Sequence, residues 1–205
     1  MRPFLLVLSS PSGGGKSTIA RHLLNARDDL GYSVSATTRV PRNGETDGVD
    51  YHFLTAAEFD RRVEAGEFVE WAAYGGSKYG TLKVEVERVM DAGMHVVLDI
   101  EVVGARQVRK AFPESVQVFV LPPSGAVLAE RLRMRRTDDP SAQARRLEIA
   151  REEIGAAGEY DYVVVNDDLV TAVAQVAAIL DAEGRKTNRM SDLDETVDRL
   201  RRELK

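Results

Sequence analysis

The sequence predicts an α/β domain built around a buried parallel sheet. Four apolar runs bounded by turn residues are typical of strands that are buried on both faces, and they lie at residues 4–8, 94–100, 116–121 and 162–165. Segments of helical periodicity separate the runs, and this alternation indicates strand–helix–strand units. A chain of 205 residues is long enough for one such domain with small inserted lobes.

Composition narrows the class of protein. The chain is 43% hydrophobic and 30% charged, which is ordinary for a folded domain, and no apolar run approaches the roughly 20 residues that cross a bilayer. The absence of cysteine excludes disulfides and thiolate chemistry. The net charge of −5 argues against general nucleic-acid binding. We therefore expect a cytoplasmic protein without a signal peptide, and neither nucleic acid nor membrane as a partner.

Local signals set the ends of three helices. The first is predicted over residues 17–26, with these apolar side chains turned toward the core: Ile19, Ala20, Leu23 and Leu24. The second lies within residues 55–66 and begins at a capping box formed by Thr55 and Glu58. The third runs from about residue 81 and ends at a glycine, residue 93.

Two polar regions interrupt the alternation of strands and helices. Residues 33–80 are rich in Thr, Arg, Gly and aromatic residues and contain short strand-like pieces, which indicates a small inserted lobe. Residues 131–151 are dense in arginine and interrupted by Pro140, which favours a mobile helical flap. We expect both regions to cover a site.

An amphipathic segment follows a polar linker after Gly184. Its apolar residues recur at helical spacing: Leu193, Val197, Leu200 and Leu204. Such a helix can dock on its own domain, fray, or dock on a partner, and the first two are the commoner outcomes. The sequence leaves the oligomeric state open, with a homo-oligomer as one alternative.

A phosphate-binding loop is predicted where the first strand meets the first helix. The segment SSPSGGGKST, residues 9–18, carries Gly-Lys-Ser at this junction, although Ser10 stands where the usual pattern has its first glycine. Backbone N–H groups of residues 12–17 can converge on a phosphate, Lys16 supplies a positive charge, and the Ser17 hydroxyl can bind Mg²⁺. The strand–helix context disfavours the alternative, a glycine-rich turn without a ligand.

Asp99 lies at the end of the second apolar run. A carboxylate there reaches the crevice beyond the carboxyl ends of the parallel strands, where it could position Mg²⁺ through water. A strand-end aspartate that caps the following helix is an equally good interpretation of this residue alone.

The segment SVSATTRVPRNGETDGVDYHF, residues 33–53, has the composition of a second anion site. Arg39 and Arg42 lie three residues apart and Tyr51 follows, and guanidinium forks with phenolic hydroxyls suit a phosphate monoester. Each arginine by itself is more commonly a solvated surface charge. Farther along, Glu70 lies among apolar residues, where a carboxylate requires a donor partner.

Six motifs together resemble the guanylate kinase family. They are SPSGGGKST, SVSATTRVPRNGETDGVDYHF, GEFVEWA, YGT, LDIE and VVNDD, in the family's order and spacing from about residue 4 to residue 181. The resemblance implies a P-loop NTPase-type three-layer α/β/α fold with a parallel central sheet, an inserted GMP-binding lobe and a helical lid. It also implies an enzyme of purine nucleotide metabolism that transfers a phosphoryl group from ATP to GMP or dGMP, with Mg²⁺ as cofactor.

The resemblance assigns residues to each substrate. The ATP-binding positions are Ser12, Gly13, Gly14, Gly15, Lys16, Ser17, Thr18 and Asn166, although Asn166 could also be simply a turn residue at the end of a strand. The GMP-binding positions are Ser35, Arg39, Arg42, Tyr51, Glu70, Tyr79, Thr81, Asp99 and Glu101. The catalytic positions are Lys16, Arg39, Arg131, Arg135 and Arg146, and the metal positions are Ser17 and Asp99. Glu70 is the specificity residue of this set, because a carboxylate that accepts from the two adjacent N–H donors of guanine rejects adenine.

The resemblance also divides the chain and shows where it departs from the family. A guanylate-kinase-like domain covers residues 1–184, followed by a linker and the C-terminal helix at 185–205. Within the domain the core is 1–32, 94–124 and 156–184, the GMP-binding lobe is 33–93 and the lid is 125–155. Departures from the family pattern occur at Ser10, Gly14, Ser77, Lys78, Glu101, Val102, Val103 and Arg136. None of them removes an essential charge, so they bear on rate and fine geometry.

Three other functions share parts of this pattern. A non-catalytic guanylate-kinase-like module that binds proteins tends to lack the loop lysine or the lid arginines, which are present here. A related kinase for a ribosyl phosphate would have no use for Glu70. A GTP-hydrolysing switch requires a guanine-recognition motif and a water-positioning residue that we do not find in the sequence. The kinase that acts on GMP is therefore the preferred interpretation.

Overall fold

The computed structural model describes residues 2–134 and 140–204, without the side chains of residues 140–144. The strands in this part of the chain are β1 (Leu5–Ser9), β2 (Leu30–Tyr32), β3 (Ala36–Thr37), β4 (His52–Phe53), β5 (Phe68–Tyr74), β6 (Ser77–Leu82), β7 (His95–Asp99), β8 (Val116–Leu121) and β9 (Tyr162–Val165). The α-helices are α1 (Lys16–Ala26), α2 (Ala56–Glu64), α3 (Lys83–Asp91), α4 (Val102–Ala111), α5 (Gly125–Arg133), α6 (Pro140–Gly155), α7 (Leu169–Gly184) and α8 (Leu193–Glu203). None of these described helices is both long enough and apolar enough to cross a membrane.

A five-stranded parallel sheet forms the centre of the molecule, in the order β2-β7-β1-β8-β9. In its register, Leu5 of β1 pairs with Val96 of β7, and Leu6 pairs with Val116 of β8. The four apolar runs of the sequence supply β1, β7, β8 and β9, so these predictions are confirmed. The sequence pattern does not predict β2, because three residues are too few to show a period.

Helices cover both faces of the central sheet. Successive side chains of a strand point to opposite faces, so Leu6 and Leu8 pack with α1 and α7, whereas Leu5 and Val7 pack with α3 and α4. These four side chains are at most 2% exposed. The predicted three-layer α/β/α fold with a parallel central sheet is therefore confirmed.

The ends of the helices follow the predicted signals with one exception. Thr55 accepts a hydrogen bond from the backbone N–H of Glu58 at 3.1 Å, which confirms the start of α2. The third helix begins at Lys83 rather than near Thr81, so the prediction of its start was wrong. Thr81 is instead paired with Glu70 in the sheet, because β6 continues to residue 82.

A second, four-stranded sheet contains three of the residues predicted to bind GMP, namely Glu70, Tyr79 and Thr81. Its order is β4-β3-β6-β5, with β6 antiparallel to both of its neighbours. Phe59 of α2 stacks on Phe68 of β5 with ring centroids 4.5 Å apart, and both join Ala36 and Leu82 in a small separate core. Through this pairing the sheet brings together segments that lie far apart in the sequence.

The arginine-rich region overlaps the end of α5 and most of α6. Leu128 and Leu132 of α5 pack with Ala150 of α6. Pro140 is the first residue of α6, where a missing N–H costs no helical hydrogen bond, so it begins this helix rather than interrupting one. The predicted catalytic residue Arg135 and the departure at Arg136 lie outside the described residues.

The division into core, GMP-binding lobe and lid stays a prediction. Helix α3 lies within the predicted lobe segment 33–93, but it packs against the central sheet. Its residues Val86 and Val89 pack with apolar side chains of the central sheet. The central layers therefore include α3 as well as the predicted core segments.

Candidate nucleotide site

A cavity of about 390 Å³ opens at the carboxyl edge of the central sheet, bordered by the loop after β1, the four-stranded sheet and α6. The predicted residues that line it are Ser12, Gly13, Gly15, Lys16, Ser17, Thr18, Ser35, Arg39, Arg42, Tyr51, Glu70, Tyr79, Asp99 and Glu101. The predicted residues Gly14, Thr81, Arg131, Arg146 and Asn166 are not part of this lining, and Arg135 lies outside the described residues. The structure thus brings most residues of both predicted substrate sites to one space.

The loop between β1 and α1 has the backbone shape of an anion cradle. Gly13 and Gly15 have positive φ angles of 84° and 100°, which residues with a side chain rarely adopt. Gly14 donates its N–H to the carbonyl of Pro11 at 2.8 Å and closes the turn. Because α1 begins at Lys16, the unpaired N–H groups of its first turn lie at the cavity.

Ser10, which replaces the usual first glycine of the loop, is buried and fits its place. Its hydroxyl donates to the carbonyl of Pro11 at 2.9 Å. A methyl group on Gly14 would lie 2.7 Å from the Cβ of Ser10. The two departures from the family pattern are therefore complementary, because the side chain at position 10 occupies space that a side chain at position 14 would need.

Lys16 and Asp99 form an ion pair at the cavity wall, with Nζ 2.7 Å from Oδ1. Burial by itself would lower the pKa of Lys16, but the charge of Asp99 and its hydrogen bond outweigh burial, and the pKa is raised. Lys16 is therefore held as a cation. Asp99 faces Lys16, whereas the residue that caps the next helix is Glu101, so the capping interpretation of Asp99 is wrong.

Glu101 is the N-cap of α4 and also lines the cavity. Its carboxylate accepts hydrogen bonds from the backbone N–H groups of Val103 at 2.5 Å and Gly104 at 2.8 Å. The longer side chain, where the family usually has Asp, thus closes the first turn of α4. Its contact with GMP stays a prediction.

Asn166 contacts the loop, and Arg131 contacts Asn166. The Nδ2 atom of Asn166 donates to the carbonyl of Gly14 at 3.0 Å. A side chain on Gly15 would lie 2.2 Å from the same atom, so a glycine is required for this approach. Arg131 of α5 donates to the carbonyl of Asn166 at 3.4 Å. Asn166 therefore stabilises the shape of the loop, and Arg131 links α5 to Asn166.

Glu153 is a residue of the cavity that the sequence analysis missed. Its Oε2 atom accepts the backbone N–H of Ser12 at 3.1 Å, which joins α6 to the phosphate loop. Burial raises the pKa of the Glu153 carboxyl, although the bond from Ser12 and the charge of Lys16 act in the opposite direction. Arg146 lies seven residues earlier and hence on the same face of α6. A glutamate within a highly charged helix carries no sequence signal, so only the fold reveals it.

Glu70 is a buried carboxylate with the donor partner that the sequence requires. It is 4% exposed and accepts a hydrogen bond from the Thr81 hydroxyl at 2.6 Å. Burial raises its pKa to about 7, the bond from Thr81 opposes this rise, and the charge of Glu101 adds to it. A side chain on Gly104 would lie 2.4 Å from its Oε2 atom, so the glycine leaves room for the carboxylate.

The residues predicted to hold the GMP phosphate form a cluster that also contains the carboxylate of Glu45. Arg39 donates through both terminal nitrogens to Glu45, at 2.9 and 2.8 Å, and Glu45 also accepts the N–H of Arg42 at 2.7 Å. The Arg39 guanidinium lies 5.3 Å from the ring centroid of Tyr51, whose ring is 6.0 Å from that of Tyr79. The sequence analysis missed Glu45, although an acidic residue close to two arginines was a signal for it.

Ser17 and Asp99 are the predicted Mg²⁺ ligands, and both line the cavity. Within the described residues, no group of three or more His, Cys, Asp or Glu side chains is arranged to hold a metal ion. A single hydroxyl and a single carboxylate nevertheless suit Mg²⁺, which binds few protein oxygens and completes its shell with water and phosphate. The residues present therefore fit an ion that is shared with a nucleotide.

The fold and the loop define the class of protein. A glycine-rich loop with Lys16 and Ser17 joins β1 to α1 at the carboxyl edge of a parallel sheet, which is the structural context that this loop motif requires. The chain therefore has a P-loop NTPase fold.

Comparisons with known proteins identify the family. The guanylate kinase family model matches residues 2–183. Over 185 residues the chain is 50% identical to the guanylate kinase of Symbiobacterium thermophilum, covering 90% of this chain and 88% of that protein. Over 176 residues it is 52% identical to the guanylate kinase of Gloeobacter violaceus, covering 86% of each. The crystal structure of guanylate kinase from Anaplasma phagocytophilum matches with a TM-score of 0.77 and 36% identity, over 94% of this chain and 92% of that one. The chain belongs to the guanylate kinase family.

Proposed function

We propose that this chain transfers the γ-phosphoryl group of ATP to GMP, and also to dGMP, giving ADP and the corresponding guanosine diphosphate. Membership of the family supports the reaction class. The observation that carries the choice of acceptor is the buried Glu70, which is bonded to Thr81 and lines the same cavity as the phosphate loop. The same cavity thus contains a loop that can bind phosphates and a carboxylate that can bind a nucleobase.

Glu70 selects guanine over adenine. The edge of guanine presents two adjacent N–H donors, which a carboxylate can accept together, whereas adenine presents an acceptor beside its amino group. Burial makes this discrimination strong, because an unpaired charge in a dry site costs several kcal/mol. The Thr81 hydroxyl fixes one oxygen of the carboxylate at 2.6 Å, and the Ser35 hydroxyl lines the same cavity. Donors from guanine favour the ionised carboxylate, so binding of GMP lowers a pKa that burial has raised.

Arg39, Arg42, Tyr51 and Tyr79 hold the phosphate of GMP. Glu45 occupies the guanidinium fork of Arg39 with the bidentate geometry that a phosphate would use. The substrate phosphate therefore takes the place of Glu45 or shares Arg39 with it.

Lys16 and the N–H groups of the loop hold the phosphates of ATP. The ion pair with Asp99 keeps Lys16 charged and oriented before the nucleotide arrives. Ser17 and Asp99 are the residues that would hold Mg²⁺, directly or through water, and the ion would supply positive charge to the phosphate oxygens. No covalent nucleophile is required, because phosphoryl transfer depends on positioning and on neutralisation of charge.

The lid arginines Arg131, Arg135 and Arg146 complete the positive surroundings of the transferred group. Arg131 and Arg146 lie on α5 and α6, which border the phosphate loop. Closure of these helices over the cavity would exclude water, which would otherwise compete with GMP as the acceptor. The contact between Glu153 and Ser12 already brings α6 to the loop.

A coupled assay of ADP release tests the proposed function. It uses ATP and Mg²⁺ with GMP, dGMP, AMP, UMP and ribose phosphates as separate acceptors, and the Lys16→Met variant controls for contaminating kinases. We expect turnover with GMP and dGMP alone. Equal turnover of AMP would refute the role of Glu70, preference for a ribose phosphate would indicate the related kinase, and no turnover with any acceptor would indicate a non-catalytic module.

A further inference from the structure

Glu85 of α3 contacts two segments that border the cavity. Its Oε2 atom accepts the backbone N–H of Val34 at 3.3 Å, and Val34 directly precedes Ser35. Its Oε1 atom lies 3.2 Å from Nε2 of His52, which directly follows Tyr51. Ser35 and Tyr51 both line the cavity. One carboxylate thus contacts the chain neighbours of a residue proposed to face guanine and of a residue proposed to hold the GMP phosphate.

Glu85 is itself fixed to the central layers of the molecule. Its helix packs with the central sheet through Val86 and Val89. One terminal nitrogen of Arg88 donates both to Oε2 of Glu85, at 2.7 Å, and to the carbonyl of Tyr32 in β2, at 3.1 Å. The side chain of Glu85 is only 12% exposed. The carboxylate is therefore held in place by contacts with α3 and the central sheet.

The donors around Glu85 suit an ionised carboxylate. Burial acts to raise the pKa of Glu85, but hydrogen bonds from Arg88, His52 and the N–H of Val34 outweigh burial, and the pKa is lowered. Because an ionised carboxylate only accepts hydrogen bonds, Nε2 of His52 carries the hydrogen in their contact. Hydrogen bonds to a charged group are stronger than those between neutral groups. Glu85 therefore holds both segments more firmly than a neutral side chain would.

The two segments are also bonded to each other. The backbone N–H of His52 donates to the carbonyl of Ser35 at 2.9 Å, and His52 of β4 pairs with Ala36 of β3. A shift of either segment therefore moves Ser35 and Tyr51 together. Within the described residues that line the cavity, Glu85 is absent, so it can act on a ligand there only through these neighbours.

We propose that Glu85 is a positioning residue for GMP, which places Ser35 and Tyr51 by holding the N–H of Val34 and the ring of His52. The inference rests on the proposed function, because that function assigns Ser35 and Tyr51 to GMP. Residues that bind a substrate need a supporting set of contacts to keep their geometry. The loop that is proposed to bind ATP has no part in these contacts with Glu85, so binding of ATP does not depend on them.

Initial-rate kinetics with GMP and ATP varied in turn test the proposal. Glu85→Ala should raise the KM for GMP about tenfold, and should leave kcat and the KM for ATP within about twofold of the parent values, since uniform binding of one substrate is weakened. Glu85→Gln keeps an oxygen that can accept the N–H of Val34, so it should recover most of this loss. Glu87→Ala is the matched control, at an exposed glutamate of the same helix. Circular dichroism at the assay temperature verifies that each variant is folded.

A double-mutant cycle separates the contact from a general loss of structure. His52→Ala should also raise the KM for GMP, and adding Glu85→Ala should raise it by much less than the product of the two single effects, because both changes remove the same contact. The inference is overturned by an unchanged KM for GMP in Glu85→Ala, by equal rises in the two KM values, by no recovery in Glu85→Gln, or by fully multiplicative effects. A parent protein that does not use GMP would instead refute the proposed function.

Discussion

The phosphate loop and the proposed GMP-binding surface are both expected to bind anions, but they are built from different groups. The loop is one contiguous stretch of ten residues. The groups that it offers to a phosphate are mainly backbone N–H groups at the start of α1. The GMP-binding surface consists of side chains from β5, β6 and the segment around Arg39, which the four-stranded sheet brings together. A loop of backbone donors tolerates changes of side chain, as Ser10 shows, whereas a surface of side chains depends on each residue that contributes.

Each of the two anion sites also contains an acidic side chain of the protein. Glu153 accepts the N–H of Ser12 in the phosphate loop, and Glu45 accepts both arms of the Arg39 fork. A carboxylate is a chemical substitute for a phosphate at such donors. On the proposed function, the phosphates of the substrates would compete with these two carboxylates for the same donors.

The largest effect on activity is expected when the positive charge of Lys16 is removed from the phosphate loop. Lys16→Met should lower kcat about a thousandfold, since the transition state loses a cation that contacts its phosphates. Steady-state assays with saturating GMP measure this loss. Lys83→Met, at an exposed lysine on α3, is the control and should be nearly neutral. Near-normal activity of Lys16→Met would show that the loop is not part of the reaction.

Shortening of Arg39 tests the GMP-binding surface. Arg39→Ala should raise the KM for GMP about a hundredfold, because the bidentate contact with the phosphate is lost, and should leave the KM for ATP nearly unchanged. Initial-rate kinetics with each substrate varied in turn measure both constants. Equal rises in the two KM values would mean that the two surfaces are not separate. Glu45→Gln provides the converse variant, and we expect it to lower the KM for GMP, because Arg39 loses its competing partner.

The raised pKa of Glu70 predicts how GMP binding depends on pH. Burial raises the pKa of Glu70 to about 7, and the form that accepts the donors of guanine is the ionised one. The Kd of GMP should therefore rise about tenfold for each pH unit below 7 and be constant above it. Calorimetric titrations between pH 5.5 and 8.5, values that bracket the pKa of about 7, measure this profile. The second ionisation of GMP, near pH 6, is common to all variants, so a profile that is unchanged in Glu70→Gln would rule out Glu70 as its source.

The smallest expected effect concerns the carboxylate beside the loop. Glu153→Gln keeps an acceptor for the N–H of Ser12 but removes a negative charge near the phosphates of ATP, so the Kd of ATP should fall about threefold. Calorimetric titration of ATP into the protein measures the change. Glu152→Gln, at the exposed neighbouring position, is the control. Weaker binding of ATP by Glu153→Gln would mean that the charge holds α6 in place rather than competing with the nucleotide.

The sequence predicts the parts of this molecule that depend on local patterns. Long apolar runs predict β1, β7, β8 and β9, and Thr55 with Glu58 predicts the start of α2, because these signals lie within a few residues. The short strands of the four-stranded sheet carry no period of their own. The pairing of Thr81 with Glu70 keeps Thr81 in β6, so α3 begins at Lys83 rather than at the predicted start near Thr81.

The same distinction applies to the site. The loop, Arg39 and Glu70 are recognisable from the residue types and from the resemblance to the family, and they do line one cavity. Glu153 approaches the loop only because α6 crosses over it, at a separation of 141 residues along the chain. Likewise, the sequence offers two interpretations of Asp99, and only the ion pair with Lys16 and the cap formed by Glu101 distinguish them.

The central claim is that a buried carboxylate in the cavity of the phosphate loop selects guanine. The measurement that tests it most directly is the ratio of kcat/KM for GMP to kcat/KM for AMP, in the parent protein and in Glu70→Gln. A site built to bind the donors of guanine should prefer GMP about ten-thousandfold, and Glu70→Gln should reduce this ratio at least about a hundredfold, mainly through loss of GMP turnover. The control Glu64→Gln, at an exposed position on α2, should keep the parent ratio. An unchanged ratio in Glu70→Gln would contradict the claim.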